Sequence, residues 1–183
     1  AVSEYISELI PLNKSMKAME FGAGTGSTSV FLSGRLGEIL MTDTSQGMVD
    51  MMNEKIAGKG LRNLRAILFD LEKADYPGKF DLIYTQMVLH HVPETDRIIE
   101  KFSKHLNPGG WLAIADLYRE DGSFHGDSFT GHKGFDPAYL EKIMVKHTFA
   151  VIRHMQCFTI EKQTAGGLKN FDVFIITGQL KSE

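Results

Sequence analysis

Residues 17–27 read Lys17-Ala18-Met19-Glu20-Phe21-Gly22-Ala23-Gly24-Thr25-Gly26-Ser27. A short apolar run ends in three glycines at alternate positions, and residues 27–33 beyond them read as a helix. Glycine belongs where a backbone turns tightly or lets a ligand come close. A helix starting at such a loop offers unpaired N–H groups and the positive end of its dipole. The stretch therefore predicts a strand, a glycine loop and a helix, with a ligand site at the loop.

Working outward, short apolar runs alternate with amphipathic stretches. Strands are predicted at 38–42, followed by Asp43, at 64–69, ending at Asp70, and at 80–85, entered through Pro77-Gly78. Between the first two of these, residues 46–57 carry Met48, Met51, Met52 and Ile56 at helical spacing. A further helix, begun by His90 and His91, places Ile98, Ile99, Phe102 and Leu106 on one face, and Asn107-Pro108-Gly109-Gly110 stops it. A strand at 111–115 ends at Asp116. Asp136 followed by Pro137 supplies a cap and a first-turn residue for a helix bearing Leu140, Ile143 and Met144.

This alternation points to an open, mostly parallel sheet. The chain's end breaks it. Residues 150–161 and 171–180 both read as strands, with Thr164-Ala165-Gly166-Gly167 between them. So short a connection makes the pair antiparallel, since a parallel crossover needs about a dozen residues. The predicted fold is α/β, a Rossmann-like, doubly wound, mostly parallel seven-stranded sheet whose last strand is antiparallel, in one domain over residues 1–183.

Bulk composition narrows the function classes. The 183 residues carry a net charge of −3, 43% hydrophobic and 23% charged residues, which is ordinary for a globular protein and leaves no basic footprint for nucleic acid. The one cysteine, Cys157, excludes an internal disulfide framework and a multi-cysteine zinc site, and fits a cytoplasmic setting. No apolar run is long enough to span a bilayer, and no signal peptide is expected. The chain begins with Ala1 rather than Met, so a preceding segment carrying a substrate lid stays open as an expectation. Oligomeric state is open too, with a homodimer as one expectation.

Two ligand readings of the loop compete. In a dinucleotide-binding protein its N–H groups hold a pyrophosphate, but that fingerprint places the third glycine one position later, where this chain has Ser27. The spacing Gly22, Gly24, Gly26 behind an acidic Glu20 favours S-adenosylmethionine, with the loop admitting the methionine carboxylate and the sugar. Glycine-rich turns also arise for structural reasons alone. Asp43 lies about where a ribose-binding acid is expected on the second strand, though Asp43, Thr44 or Ser45 could instead cap the helix beginning near Gln46. Asp70 could read an adenine amino group or simply form a turn, and Met48 could pack on the adenine or in the core.

Taken together, five segments in order resemble the class I S-adenosylmethionine-dependent methyltransferases, particularly the small-molecule, ubiquinone/menaquinone-biosynthesis-type branch. They are residues 19–26, Thr42-Asp43-Thr44-Ser45 with Met48, Phe80-Asp81-Leu82-Ile83-Tyr84, Leu89-His90-His91-Val92, and Leu106-Asn107-Pro108-Gly109-Gly110. The resemblance implies cofactor contacts at Glu20, Gly22, Ala23, Gly24, Gly26, Asp43, Thr44, Met48, Asp70, Leu71 and Gln86. Glu20 is expected at the methionyl end, Asp43 at the ribose, Asp70 and Leu71 beside the adenine. Gln86 stands where the family presents a backbone carbonyl to the methionyl amino group, in a place that often holds Asn. Thr85-Gln86-Met87-Val88 departs from the Asn/Asp-Pro-Pro-Tyr/Phe of enzymes that methylate nucleobase amines.

Methyl transfer to oxygen, nitrogen or carbon of a small-molecule acceptor relies mainly on alignment, with a base needed only when the nucleophile must lose a proton. Catalytic candidates are His91, His125 and His132, the last two in a loop at 119–136 that follows the fifth strand on the ligand-bearing edge, with Asp116 and Tyr118 nearby. A solvated surface loop is the plain alternative. No metal is expected, since His125, His132 and Asp127 match no common ligand spacing. His90 is expected to pack or cap. The competing function classes are an NAD-dependent oxidoreductase and a non-catalytic S-adenosylmethionine-binding module.

Overall fold

The computed structural model describes residues 1–182; the final residue of the expected single domain, Glu183, lies outside the described residues. One seven-stranded sheet organises the chain. Its strands are β1 (Lys17–Phe21), β2 (Glu38–Asp43), β3 (Leu64–Leu68), β4 (Phe80–Gln86), β5 (Leu106–Leu117), β6 (Phe149–Thr164) and β7 (Gly167–Leu180), in the order β3-β2-β1-β4-β5-β7-β6. Strands β1 to β5 pair in parallel, whereas β7 runs antiparallel to both β5 and β6. The expected topology is the one observed. Strand order reverses between β1 and β4, and in such sheets ligands bind outside the carboxyl ends at that switch point.

Helices cover both faces: α1 (Val2–Leu9), α2 (Ser27–Leu32), α3 (Gln46–Lys59), α4 (Thr95–His105) and α5 (Pro137–Lys146). Side chains alternate across a strand with period two, and that decides which face each residue joins. Ala18, Leu82, Tyr84, Ala113 and Ala115 face a core with Ile6, Leu32, Val49 and Met52 from α1, α2 and α3. Met19, Phe21, Ile83, Leu112 and Ile114 face the opposite core, with Ile98, Ile99 and Phe102 of α4 and Leu140 and Met144 of α5. Ile98, Ile99 and Phe102 are fully buried, and each stabilises the fold by about 1.5–3 kcal/mol. The same alternation puts Glu20 beneath α2 and Asp116 on the α4/α5 side.

The structure revises several local expectations. His90 and His91 do not begin the helix; they close a separate 3-10 turn, Leu89–His91, and α4 starts at Thr95 beyond Pro93. Leu106 opens β5 rather than ending the helical stripe, and residues 107–110 form an irregular start to that strand, with Gly109 at φ +77°. The buried face of α3 is Val49 and Met52, with Met48 and Ile56 half-buried, while Met51 is 48% exposed, because the stripe is centred later along the chain than Met48 and Met51 suggest. The helix α1 was not foreseen.

The terminal hairpin is longer than expected. Its ladder continues to the pair Thr164 and Gly167, so only Ala165 and Gly166 form the turn. Backbone hydrogen bonds need no apolar side chains, and polar Lys162, Gln163 and Lys169 keep the pairing going. The extension has a use. Lys162 Nζ donates to the Phe124 carbonyl (2.6 Å) and lies 4.2 Å from the Phe124 ring centre, and Lys169 pairs with Asp121 at 2.8 Å. The hairpin tip thereby grips the loop after β5, which also bonds back through Glu120 N–H to Lys133 O and Arg119 N–H to Phe135 O.

Candidate active site

At the end of β1 the backbone turns through Gly22 at φ +67°. A Cβ there would lie 2.6 Å from Val88 Cγ2, so glycine is demanded both by the left-handed backbone and by the space. Ala23 N–H donates to Thr42 O (2.9 Å), Gly24 N–H to Asp43 Oδ2 (2.8 Å), and Gly26 N–H to Ala23 O (2.8 Å). The neighbouring strand β2 thus holds the loop in shape. Gly24, at φ +56°, differs from Gly22: a Cβ there would meet nothing within 4 Å. Its missing side chain leaves room rather than relieving a contact.

That room belongs to a cavity of about 340 Å³ between the glycine loop, Glu20, the first residues of α2 and the segment from Gln86 to Val88. A cavity of about 390 Å³ also opens at the opposite, amino-terminal edge, among Lys17, Glu38, Arg62 and Lys79. The carboxyl edge is the functional candidate of the two, because there the strand order reverses and the glycine loop sits.

Glu20 is 3% exposed. The Ser29 hydroxyl of α2 donates to Glu20 Oε2, and the Tyr84 hydroxyl of β4 lies 2.6 Å from Ser29 Oγ. Burial pushes the Glu20 carboxyl up to about 7, against the pull of Ser29's hydrogen bonds, with Asp43 raising it further and Lys55 opposing. Burial and then the Glu20 charge push the Tyr84 hydroxyl well above its ordinary value. Lys55 Nζ reaches Thr25 O at 2.6 Å, tying α3 to the loop.

The other expected contacts fall into groups. Asp43 is partly buried and spends Oδ2 on Gly24 and Oδ1 on Ser45 N–H (2.9 Å), while Ser45 Oγ caps α3 by accepting from Met48 N–H. Thr44 is exposed and Met48 half-buried at the same edge. Gln86 Oε1 accepts from Thr28 Oγ1 (2.9 Å), bridging β4 to α2 at the cavity. Asp70 forms a turn, accepting from Glu72 N–H (3.0 Å) and pairing with Lys73 at 3.1 Å. The Leu71 side chain is fully buried in the α4/α5 core, which leaves only its backbone to border a ligand.

The histidines divide in an unexpected way. His132 stays by the start of α4, its Nε2 3.0 Å from Val92 O and 3.3 Å from Thr95 Oγ1. Tyr118 packs edge-on against Phe174. His90, expected only to pack or cap, is buried and organises a cluster. Asp116 Oδ2 accepts its N–H (3.0 Å), Asp116 Oδ1 lies 2.6 Å from its Nδ1, and its Nε2 lies 2.9 Å from Nε2 of His125. The His91 ring lies 4.2 Å from that of His90 and 5.2 Å from that of His125. Burial first, then the neighbouring His90, lowers the proton affinity of both His91 and His125. A signal for this cluster did exist: His90 follows β4 and Asp116 is the last residue but one of β5, both at the carboxyl ends of two adjacent parallel strands.

A family model described as a methyltransferase domain matches residues 19–112. An uncharacterized methyltransferase of Schizosaccharomyces pombe is 32% identical over 139 residues, covering 67% of this chain and 49% of the relative. A trans-aconitate 2-methyltransferase of Deinococcus radiodurans is 30% identical over 122 residues, covering 66% of this chain and 45% of the relative. The chain spans about half the length of the curated relatives it matches. Among solved structures, the YcgJ protein of Bacillus subtilis superposes with a TM-score of 0.84 at 15% identity, covering 100% of this chain and 99% of that one.

Proposed function

The chain belongs to the methyltransferase domain family, and on that premise we propose that it transfers a methyl group from S-adenosylmethionine to a small-molecule acceptor. The observation that carries the proposal is the Gly22–Gly26 turn, held open by Asp43 beside a cavity into which Gly24 presents no side chain. The donor set suits this cofactor. Ser27 and Thr28 border the cavity at the start of α2, where N–H groups lack intrahelical partners and can donate to a carboxylate; Asp43 offers acceptor capacity to ribose hydroxyls, and Glu20 and Gln86 border the place for the methionyl amino group. When bound, the cofactor supplies a methyl group already activated by its sulfonium.

The chain's own residues then bind and align. Gly22, Ala23 and Gly24 admit the methionyl half, and Gln86 with Thr28 closes one side of the cavity. Asp43, Thr44 and Met48 line the edge toward the sugar and base, with Asp70 and the Leu71 backbone further along. The acceptor's place is the region beyond Val88, walled by His91, His125 and Phe129. An acceptor of the kind handled by the ubiquinone/menaquinone-type branch, and a cytoplasmic place of action, are parts of the same proposal. The first rests on five motif segments in order, the second on the lone Cys157. No helix among the described residues is long and apolar enough to cross a membrane.

Calorimetry with S-adenosylhomocysteine tests this reading. One-to-one binding is expected, weakened about tenfold or more in Asp43→Ala, which removes a hydrogen-bonded charged group. Absence of binding, or preference for NAD, overturns it.

A further inference from the structure

We propose that His90, His91 and His125 form a binding site for one divalent transition-metal ion of the zinc type. The three ring nitrogens lie within 4.8 Å of one another, brought together from the 3-10 turn after β4 and the loop after β5. Zinc–imidazole bonds of about 2.0–2.1 Å in a tetrahedral site set ligand nitrogens roughly 3.3 Å apart. The 2.9 Å between Nε2 of His90 and Nε2 of His125 is close to that spacing. His91 is exposed, so its ring has freedom to close the remaining gap.

Asp116 makes the site more than a chance meeting of imidazoles. It is fully buried and accepts from His90 N–H, from Leu117 N–H (2.7 Å) and from His90 Nδ1–H. With its proton committed at Nδ1, His90 must present a lone pair at Nε2, the carboxylate–histidine arrangement that supports metal ligands. His125 then donates from Nε2 in the metal-free protein, and moving that proton to Nδ1 frees the second ligand. Phe129, stacked on His125 at 4.1 Å, and Phe124, edge-on to it at 4.8 Å, wall the site with apolar surface.

Ligand chemistry selects the ion. Three neutral imidazoles suit Zn²⁺ and its neighbours in the first transition row, whereas Mg²⁺ and Ca²⁺ demand oxygen. Three protein ligands leave a fourth position open, the pattern of sites that take a water or a substrate heteroatom. Metal binding stands independently of methyl transfer. Only the use of the open position to anchor an acceptor oxygen, just past Val88 of the cofactor cavity, rests on that reading.

The test titrates the metal-free full chain with Co²⁺ as a visible probe and with Zn²⁺ as competitor. One equivalent of Co²⁺ should give the intense ligand-field bands of a tetrahedral site, and Zn²⁺ should abolish them. His91→Ala and His125→Ala, both at exposed positions, should each weaken binding tenfold or more, and Asp116→Asn should weaken it about 10–100-fold. His154→Ala, at an exposed position on β6, should bind as wild type does. No stoichiometric binding to wild type, or a loss below tenfold in His91→Ala or His125→Ala, overturns the proposal. S-adenosylhomocysteine binding by the metal-free protein reports separately on the cofactor site.

Discussion

Replacing Glu20 by Gln should stabilise the protein, and increasingly so as the pH rises. Glu20 occupies the α2 side of β1, where neighbouring side chains leave it 3% exposed. Its carboxyl sits at about 7, against 4.5 for an ordinary glutamate. Between those values the native protein keeps a proton that the unfolded chain has lost. The stability tied to this proton is full below about 4.5 and is lost as pH rises through about 7. At about 1.4 kcal/mol per pH unit, the interval from 4.5 to about 7 corresponds to about 3 kcal/mol. Gln cannot ionise, yet its Oε1 still accepts from Ser29. Urea unfolding of both proteins at several values between about pH 4 and about pH 8 reads the effect, since every other titrating group is common to the pair. The stability difference should move by about 3 kcal/mol in favour of Glu20→Gln across that range. A difference that stays flat would refute the argument, because it would mean that the carboxylate is not desolvated in the native state.

The glycine loop supplies two contrasting predictions. Gly22→Ala should cost at least about 2 kcal/mol, combining left-handed strain with the overlap on Val88, and Val88→Ala in the same chain should recover only the overlap; denaturant midpoints of the single and double variants check this, and full recovery would contradict it. Gly24→Ala should cost only about 1 kcal/mol of stability, yet reduce S-adenosylhomocysteine affinity more than tenfold, since its methyl group enters the cavity. Unchanged affinity by calorimetry would remove Gly24 from the binding surface.

Much of the architecture was legible along the chain because its causes are local. The strand–loop–helix unit at 17–33 announces itself through an apolar run, three glycines and a helical stretch, and all three glycines do adopt positive φ. The Asp136-Pro137 start of α5 is capped as its sequence predicts, with Asp136 accepting from Ala138 N–H at 3.0 Å. The short connection between β6 and β7 allowed only an antiparallel pair. Boundaries were less legible where no local rule decides them. The hairpin runs into polar residues, and the 3-10 turn at Leu89–His91 stands apart from α4.

The amino-acid sequence alone determined the fold and the position of the glycine loop, since periodicity, turn residues and connection length act over a few residues at a time. Only the tertiary structure decided that Glu20 is desolvated beneath α2 and that Ser29 and Tyr84 complete its surroundings. Only the tertiary structure, too, separated His132 from His125 and joined His125 to a histidine 35 residues away, itself held by an acid 26 residues further along the chain than it. Such encounters depend on which strand ends lie side by side and on how a distant hairpin grips the loop between. Packing sets both, and no pattern in a short window of residues records them.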